Sequence, residues 1–158
     1  MAGSTNKKIV IRRFDRDPVA GFVNPQSYLH PGGIEGLAVE GSLLYVPYEE
    51  VKTIYFVRDF ETAEPWTDMP RLFLNRPKSS GVWVRMTFRD GDVLDGLLPN
   101  NLLTLEPYGF TLVPPGAGQQ RIFVPRAALT EMLAVGVVGG LRVAKPKPKP
   151  KQQISLFE

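Results

Sequence analysis

One arrangement of strand-forming segments occurs twice in this chain, and that duplication restricts the fold more than any other feature. Residues 8–22 read KIVIRRFDRDPVAGF and residues 82–97 read VWVRMTFRDGDVLDGL. Each is an alternating apolar segment that ends in Phe (Phe14, Phe88), passes an Asp-rich turn and returns through a second apolar segment holding Gly21 or Gly96. Further along, residues 43–55 (LLYVPYEEVKTIY) match residues 121–133 (RIFVPRAALTEML). Val46-Pro47 aligns with Val124-Pro125, Val51 with Leu129 and Ile54 with Met132; from Gly to Pro the span is 26 residues in the first copy and 29 in the second. Recurrence of order, spacing and residue type marks a duplicated supersecondary unit.

Each copy reads as five short strands. Residues 8–14 set Ile9, Ile11 and Arg13 against Val10, Arg12 and Phe14, the period of two that a strand requires. Asp15-Arg16-Asp17-Pro18 turns the chain, because Asp side chains cap backbone groups and Pro fixes φ. Residues 19–23 return, and segments 34–40 and 43–47 flank a hairpin turn at Glu40-Gly41-Ser42. Pro47 and Pro125 cannot donate to a ladder and should end the fourth strands. Pro also suits the start of a helical turn, which places one at 48–51 and one at 126–129. The fifth strands fall at 53–60 and 131–138, and Asp90-Gly91 favours the tight turn of the second copy.

Composition agrees: fifteen Gly and fifteen Pro are scattered through 158 residues, as in a chain of short strands and turns. The chain has no Cys and one His, which excludes disulfides, zinc fingers and thiol chemistry. His30 lies in the loop sequence Leu29-His30-Pro31-Gly32-Gly33, with no nucleophile arranged around it. The Gly-rich stretches 31–33 and 115–118 lack the Lys-Ser/Thr of a phosphate-binding loop. Asp15, Asp17, Asp90, Asp92 and Asp95 read as turn caps rather than a cation site. Arg12 and Arg16 share the R-x-x-x-R spacing of cyclic-dinucleotide receptors without their companion motif. These observations predict a protein that is not an enzyme and uses no metal or cofactor.

The net charge is +3, and its placement matters. Residues 145–158 contain Lys145, Lys147, Lys149 and Lys151 against Glu158, which leaves fifteen basic and fifteen acidic side chains in the rest. The body is formally neutral, apart from one basic cluster at Lys7, Lys8, Arg12, Arg13 and Arg16. Those five, with the four tail lysines, are the candidate contacts for RNA or single-stranded DNA. Tyr45, Tyr48, Tyr55, Phe56 and Phe60, interleaved with Lys52 and Arg58, offer aromatic rings for stacking, although alternation buries about half of such a run. No apolar run reaches the ~18–20 residues needed to span a bilayer. The start of the chain lacks an apolar signal core, so the sequence predicts a cytoplasmic protein without membrane contact.

Arg85 to Leu98, a strand followed by F-x-D-G and then G-x-L, resembles the first motif of Sm-like (LSm and Hfq-type) barrels, and five strands with a helical turn before the fifth is the plan of SH3-like barrels in general. The resemblance implies two tandem barrels packed as one all-β unit, and RNA binding as a family property. The domains expected are a first barrel at 7–60, a packed connector at 61–80 with a strand at 71–75, a second barrel at 81–141, and a flexible tail at 142–158. Exposed barrel edges would suit a homo-oligomer.

KPKPKPK at 145–151 cannot bury apolar area and favours an extended, solvated spacer. It leads to Gln153-Ile154-Ser155-Leu156-Phe157. This pentapeptide resembles the bacterial sliding-clamp-binding motif, Gln-Leu-(Ser/Asp)-Leu-Phe. The resemblance implies that Gln153 hydrogen-bonds to the clamp, that Leu156 and Phe157 fill its hydrophobic cleft, and that Ile154 makes a side contact beside Ser155. The function expected is that of an adaptor docked on the sliding clamp. Alternatives are an Sm-like nucleic-acid binder and an oligomeric scaffold.

Overall fold

A computed structural model describes residues 6–60, 71–116 and 121–139. The first repeat forms β1 (Lys7–Arg13), β2 (Val19–Val23), β3 (Gly33–Ala38), β4 (Leu43–Pro47) and β5 (Val51–Val57), with a 3-10 turn at Tyr48–Glu50. The second forms β6 (Gly81–Phe88), β7 (Val93–Leu98), β8 (Gly109–Leu112), β9 (Ile122–Pro125) and β10 (Leu129–Val138), with 3-10 turns at Leu102–Thr104 and Arg126–Ala128. The protein is all-β, and among the described residues no helix is long and apolar enough to cross a membrane. Both Pro47 and Pro125 close a fourth strand and cap the 3-10 turn that follows, as their missing N–H dictates.

Two antiparallel sheets result, one ordered β4-β3-β2-β1-β5-β9-β8 and the other β10-β6-β7. Leu97 and Val113 exchange both backbone hydrogen bonds, at 2.9 and 3.0 Å, and so join β7 to the end of β8. The strands therefore follow one another as β10-β6-β7-β8-β9, then β5-β1-β2-β3-β4. Each repeat keeps the order fifth-first-second-third-fourth, and the fourth strand of the second repeat pairs with the fifth of the first, Ile54 opposite Phe123 and Tyr55 opposite Ile122.

The repeats also agree in local detail. A Cβ added at Gly33 would lie 2.4 Å from the Val46 carbonyl oxygen, and one at Gly109 would lie 2.3 Å from that of Val124. Only glycine lets the third strand approach the fourth this closely. The pairing of first and fifth strands slips at one shared place, skipping Lys52 in one repeat and Thr130 in the other, and β10 slips a second time, skipping Val135. Such a bulge re-aims the extra side chain.

Two apolar clusters form the core. One gathers Ile9, Ile11, Val23, Ile34, Val46, Val51 and Ile54 of the first repeat, plus Phe123 from β9. The other gathers Val84, Met86, Phe88, Leu94, Phe110, Leu112, Ile122 and Val124 of the second, plus Tyr55 and Val57 from β5. Each repeat thus lends side chains to the core of the other, because β5 and β9 are covered on both faces at the joint.

Three details depart from the sequence reading. The third strand stops at Ala38, where Ser42 and Gly41 (φ +99°) bond back to it and form the turn. The fifth strand of the first repeat ends at Val57, not residue 60. The strand expected at 71–75 is a single bridge: Arg71 bonds Val93 and Asp95 backbone groups, and the chain then turns away, leaving Leu74 exposed. Phe73 packs edge-on against Trp83 at 5.8 Å, so this part of the connector lies on the second repeat. Residues 61–70, with Trp66, and the tail from 140 onward lie outside the described residues.

Candidate nucleic-acid interface

The joint between the repeats brings basic side chains together that the sequence keeps far apart. Antiparallel pairing of β1 with β5 sets Lys8 opposite Val57, which places Lys7 and Lys8 beside Arg58. The Phe56 N–H donates to the Arg121 carbonyl at 3.1 Å and brings in the residue preceding β9. Lys7, Lys8, Arg58 and Arg121 line one cleft of about 550 Å³, with Phe56 and Tyr28 among its apolar surfaces.

Among the described residues the wall carries one carboxylate, Glu106, which accepts the Thr111 hydroxyl. Asp59 stands 3.7 Å from Lys8, both side chains well exposed, so water weakens that pair. Tyr28 packs edge-on against Phe56 at 5.8 Å and Phe123 at 6.0 Å. Burial, reinforced by Glu106, pushes its phenol far above the ordinary range, so Tyr28 stays neutral. A cleft with four cations and the half-buried ring of Phe56 has the chemistry to hold a phosphate chain and stack a base.

The five basic residues of the expected cluster, four on β1 and Arg16 in the turn after it, do not form one patch. Six residues of extended chain separate Lys7 from Arg13, on the order of 20 Å. Lys7 and Lys8 reach the cleft. Arg13 is committed at the other end, donating to the Asp17 carbonyl at 2.9 and 2.7 Å with Glu50 4.0 Å away. Arg16 lines a small groove with Glu49, Glu50 and Arg89. Arg12 lies on β1 between them, opposite Thr53. Lys145, Lys147, Lys149, Lys151 and the segment Gln153, Ile154, Ser155, Leu156 and Phe157 lie outside the described residues.

The aromatic run divides by element: Tyr45 on β4 is exposed, Tyr48 in the 3-10 turn and Tyr55 on β5 are buried, and Phe56, the next residue on β5, is half-buried. Lys52 leaves the run altogether. Re-aimed by its bulge, it donates to Asp90 at 2.6 Å and to Asp92 in the β6–β7 turn, almost fully buried between the rings of Phe14 and Phe88. Burial pushes the Asp90 carboxyl up, but hydrogen bonds from Lys52 and backbone N–H groups outweigh it and hold the carboxyl below its ordinary range. Asp90 also caps its turn, its Oδ1 accepting the Asp92 N–H at 3.1 Å, whereas Asp95 caps none. Asp95 is fully buried on β7 and accepts from Arg85 (2.7 and 3.0 Å), Trp83 Nε1 (3.1 Å) and the Phe73 N–H (3.0 Å). His30 is half-buried, its Nε2 3.4 Å from Glu35. Among the described residues, no group of three or more His, Cys, Asp or Glu side chains is placed to hold a metal.

The fold and the cleft define a duplicated all-β protein with a basic groove at the seam of its repeats. The chain belongs to a family of unknown function, DUF6982, whose match spans residues 5–136. No curated protein and no solved structure matches it.

Proposed function

We propose that this protein is a non-catalytic adaptor whose tail docks on the bacterial DNA sliding clamp. The observation that carries the reading is the sequence Gln153-Ile154-Ser155-Leu156-Phe157 at the end of a Lys-Pro spacer. An extended charged spacer keeps such a peptide in solvent and adds attraction to DNA threaded through a clamp. The body supports this role as a tandem unit whose repeats share core side chains. Its strand order in each repeat, and the 3-10 turn between fourth and fifth strands, favour the Sm/SH3-like class within the all-β fold. Fluorescence anisotropy of a labelled 145–158 peptide titrated with sliding clamp tests the reading. Binding in the micromolar range, abolished by Leu156→Ala/Phe157→Ala, is the expected result; equal signals from both peptides would refute it.

A second reading has its own observation, the cleft formed by Lys7, Lys8, Arg58 and Arg121. In it the body binds single-stranded RNA or DNA through phosphate contacts. An oligonucleotide shift that weakens with salt, persists after deletion of 145–158 and disappears in Arg58→Glu/Arg121→Glu would favour it.

A further inference from the structure

The joint inside the molecule is heterologous: a fifth-strand edge of one repeat meets a fourth-strand edge of the other. Such a contact uses two different surfaces, so joining two repeats consumes one of each and leaves one of each unpaired. Those remaining edges are β4 at one end of the strand order and β10 at the other; among the described residues β4 pairs only with β3, and β10 only with β6.

Side chains at matched positions show what is missing there. Tyr55 on β5 is 7% exposed because it enters the second core; its counterpart on β10, Leu133, is 53% exposed, and Val135 beside it, set out of register by a second bulge in β10, is 44% exposed. Phe123 on β9 is fully buried in the first core, whereas its counterpart on β4, Tyr45, is 50% exposed. Large apolar side chains on an unpaired strand edge are a template for pairing with another chain.

We propose that copies of this chain associate head to tail, β4 of one against β10 of the next, repeating the internal joint. The occupant is a second copy because the complementary edge already exists on the same molecule, in the form that β5 and β9 display together. The register transfers as well: Tyr55 opposite Ile122 becomes Leu133 opposite Leu44, and Ile54 opposite Phe123 becomes Met132 opposite Tyr45. The joint between molecules is weaker than the one within. Thr130 replaces Lys52 at the bulge, and the Tyr48–Tyr108 stack (5.3 Å) is replaced by Arg126 and Gly32. Association is therefore reversible and rises with concentration.

Cysteine pairing tests this directly, because the chain has none of its own. The hydrogen bond from Phe56 to Arg121 makes Tyr55/Ile122 a non-hydrogen-bonded pair, the closer kind, so Leu44 and Leu133 fall within disulfide reach across the proposed joint. Leu44→Cys and Leu133→Cys chains, each confirmed folded by circular dichroism, are mixed and mildly oxidised. The expected result is a covalent dimer containing one of each, formed at least tenfold faster than either chain pairs with itself. Light scattering of the unaltered protein should show a mass that grows with concentration and falls to the monomer in Leu133→Lys. Faster self-pairing of Leu133→Cys would mean a two-fold dimer through β10. A Leu133→Cys/Ile154→Cys chain that closes only on itself would assign the edge to the tail. Either of these, or a monomer at every concentration with no crosslink, overturns the proposal.

Discussion

The two repeats place different residues at one shared bulge, and the contrast shows how a duplicated unit becomes a single structure. In the first, the bulged residue is Lys52, buried between Phe14 and Phe88 and bonded to Asp90 and Asp92 of the second repeat. In the second it is Thr130, exposed, whose hydroxyl donates to the Thr87 carbonyl, at 3.3 Å, in its own repeat. One shared bulge with unequal side chains accompanies one closed joint and one open edge, the open one on a longer strand that bulges again at Val135. The duplicated pattern builds each half, and a few substitutions on β5 and β9 decide which edges meet.

The largest expected difference between matched positions lies at Phe123 and Tyr45. Phe123→Ala opens a cavity in the first core from a strand of the second repeat, at a cost of about 3–5 kcal/mol. Urea unfolding should show both repeats losing stability together in one transition. Tyr45→Ala in dilute protein should change stability by no more than ~0.5 kcal/mol. Separate transitions for the two repeats in Phe123→Ala would show that the shared core does not couple them.

Next come the matched glycines of the return strands. A Cβ at Gly21 would lie 2.5 Å from the Leu37 carbonyl oxygen, whereas one at Gly96 meets the end of the Leu112 side chain, at 2.2 Å. Backbone cannot yield without shifting β3, but a leucine terminus turns aside. Gly21→Ala should therefore cost about 2–3 kcal/mol and Gly96→Ala roughly half that, read from thermal or urea midpoints.

Most of the strand framework was legible in the sequence because its boundaries are local. Val19–Val23 and Leu43–Pro47 are bounded by Asp, Gly and Pro whose effect does not depend on distant contacts. The cleft was not legible in this way. Arg58 and Arg121 meet only because β5 pairs with β9, and no periodicity within either segment announces a partner in the other repeat. Asp95 was misread because alternation assumes one wet face. Both faces of β7 are covered, one by the core and the other by Trp83 and the 71–73 segment, so an acid amid apolar residues became a buried acceptor. Lys52 escaped for a related reason: a one-residue bulge moves a side chain out of the register that alternation assigns.

Lys52→Met sharpens the comparison of bulges. It keeps the aliphatic stem between the two Phe rings and removes the charge, leaving Asp90 and Asp92 facing each other without it. Both carboxylates retain contact with water, so the cost should be near 1–2 kcal/mol rather than that of a fully buried charge. Thr130→Ala should cost less than ~0.5 kcal/mol. Equal losses at the two positions would deny the ion cluster its role in fastening the joint.

The smallest effect is a dependence on acid that separates the joint from the interior of the second repeat. Burial raises the Asp95 carboxyl, but the Arg85 hydrogen bonds, with those from Phe73 and Trp83, outweigh it and hold the group below its ordinary range, as Lys52 does for Asp90. A carboxyl whose folded pKa is depressed contributes stability that is complete above its unfolded value and is lost as pH falls through the folded one. The urea midpoint should accordingly stay level down to the ordinary carboxylate range near pH 4 and decline below it. Lys52→Met should remove the Asp90 share of that decline and leave the Asp95 share. Asp95→Asn should do the reverse, at a larger cost at neutral pH because the buried amide then sets an NH2 donor against the Arg85, Trp83 and Phe73 donors that the carboxylate accepted. If both variants kept the full acid slope, other carboxylates would be responsible for it, and neither the joint nor the interior of the second repeat would be fastened by charge.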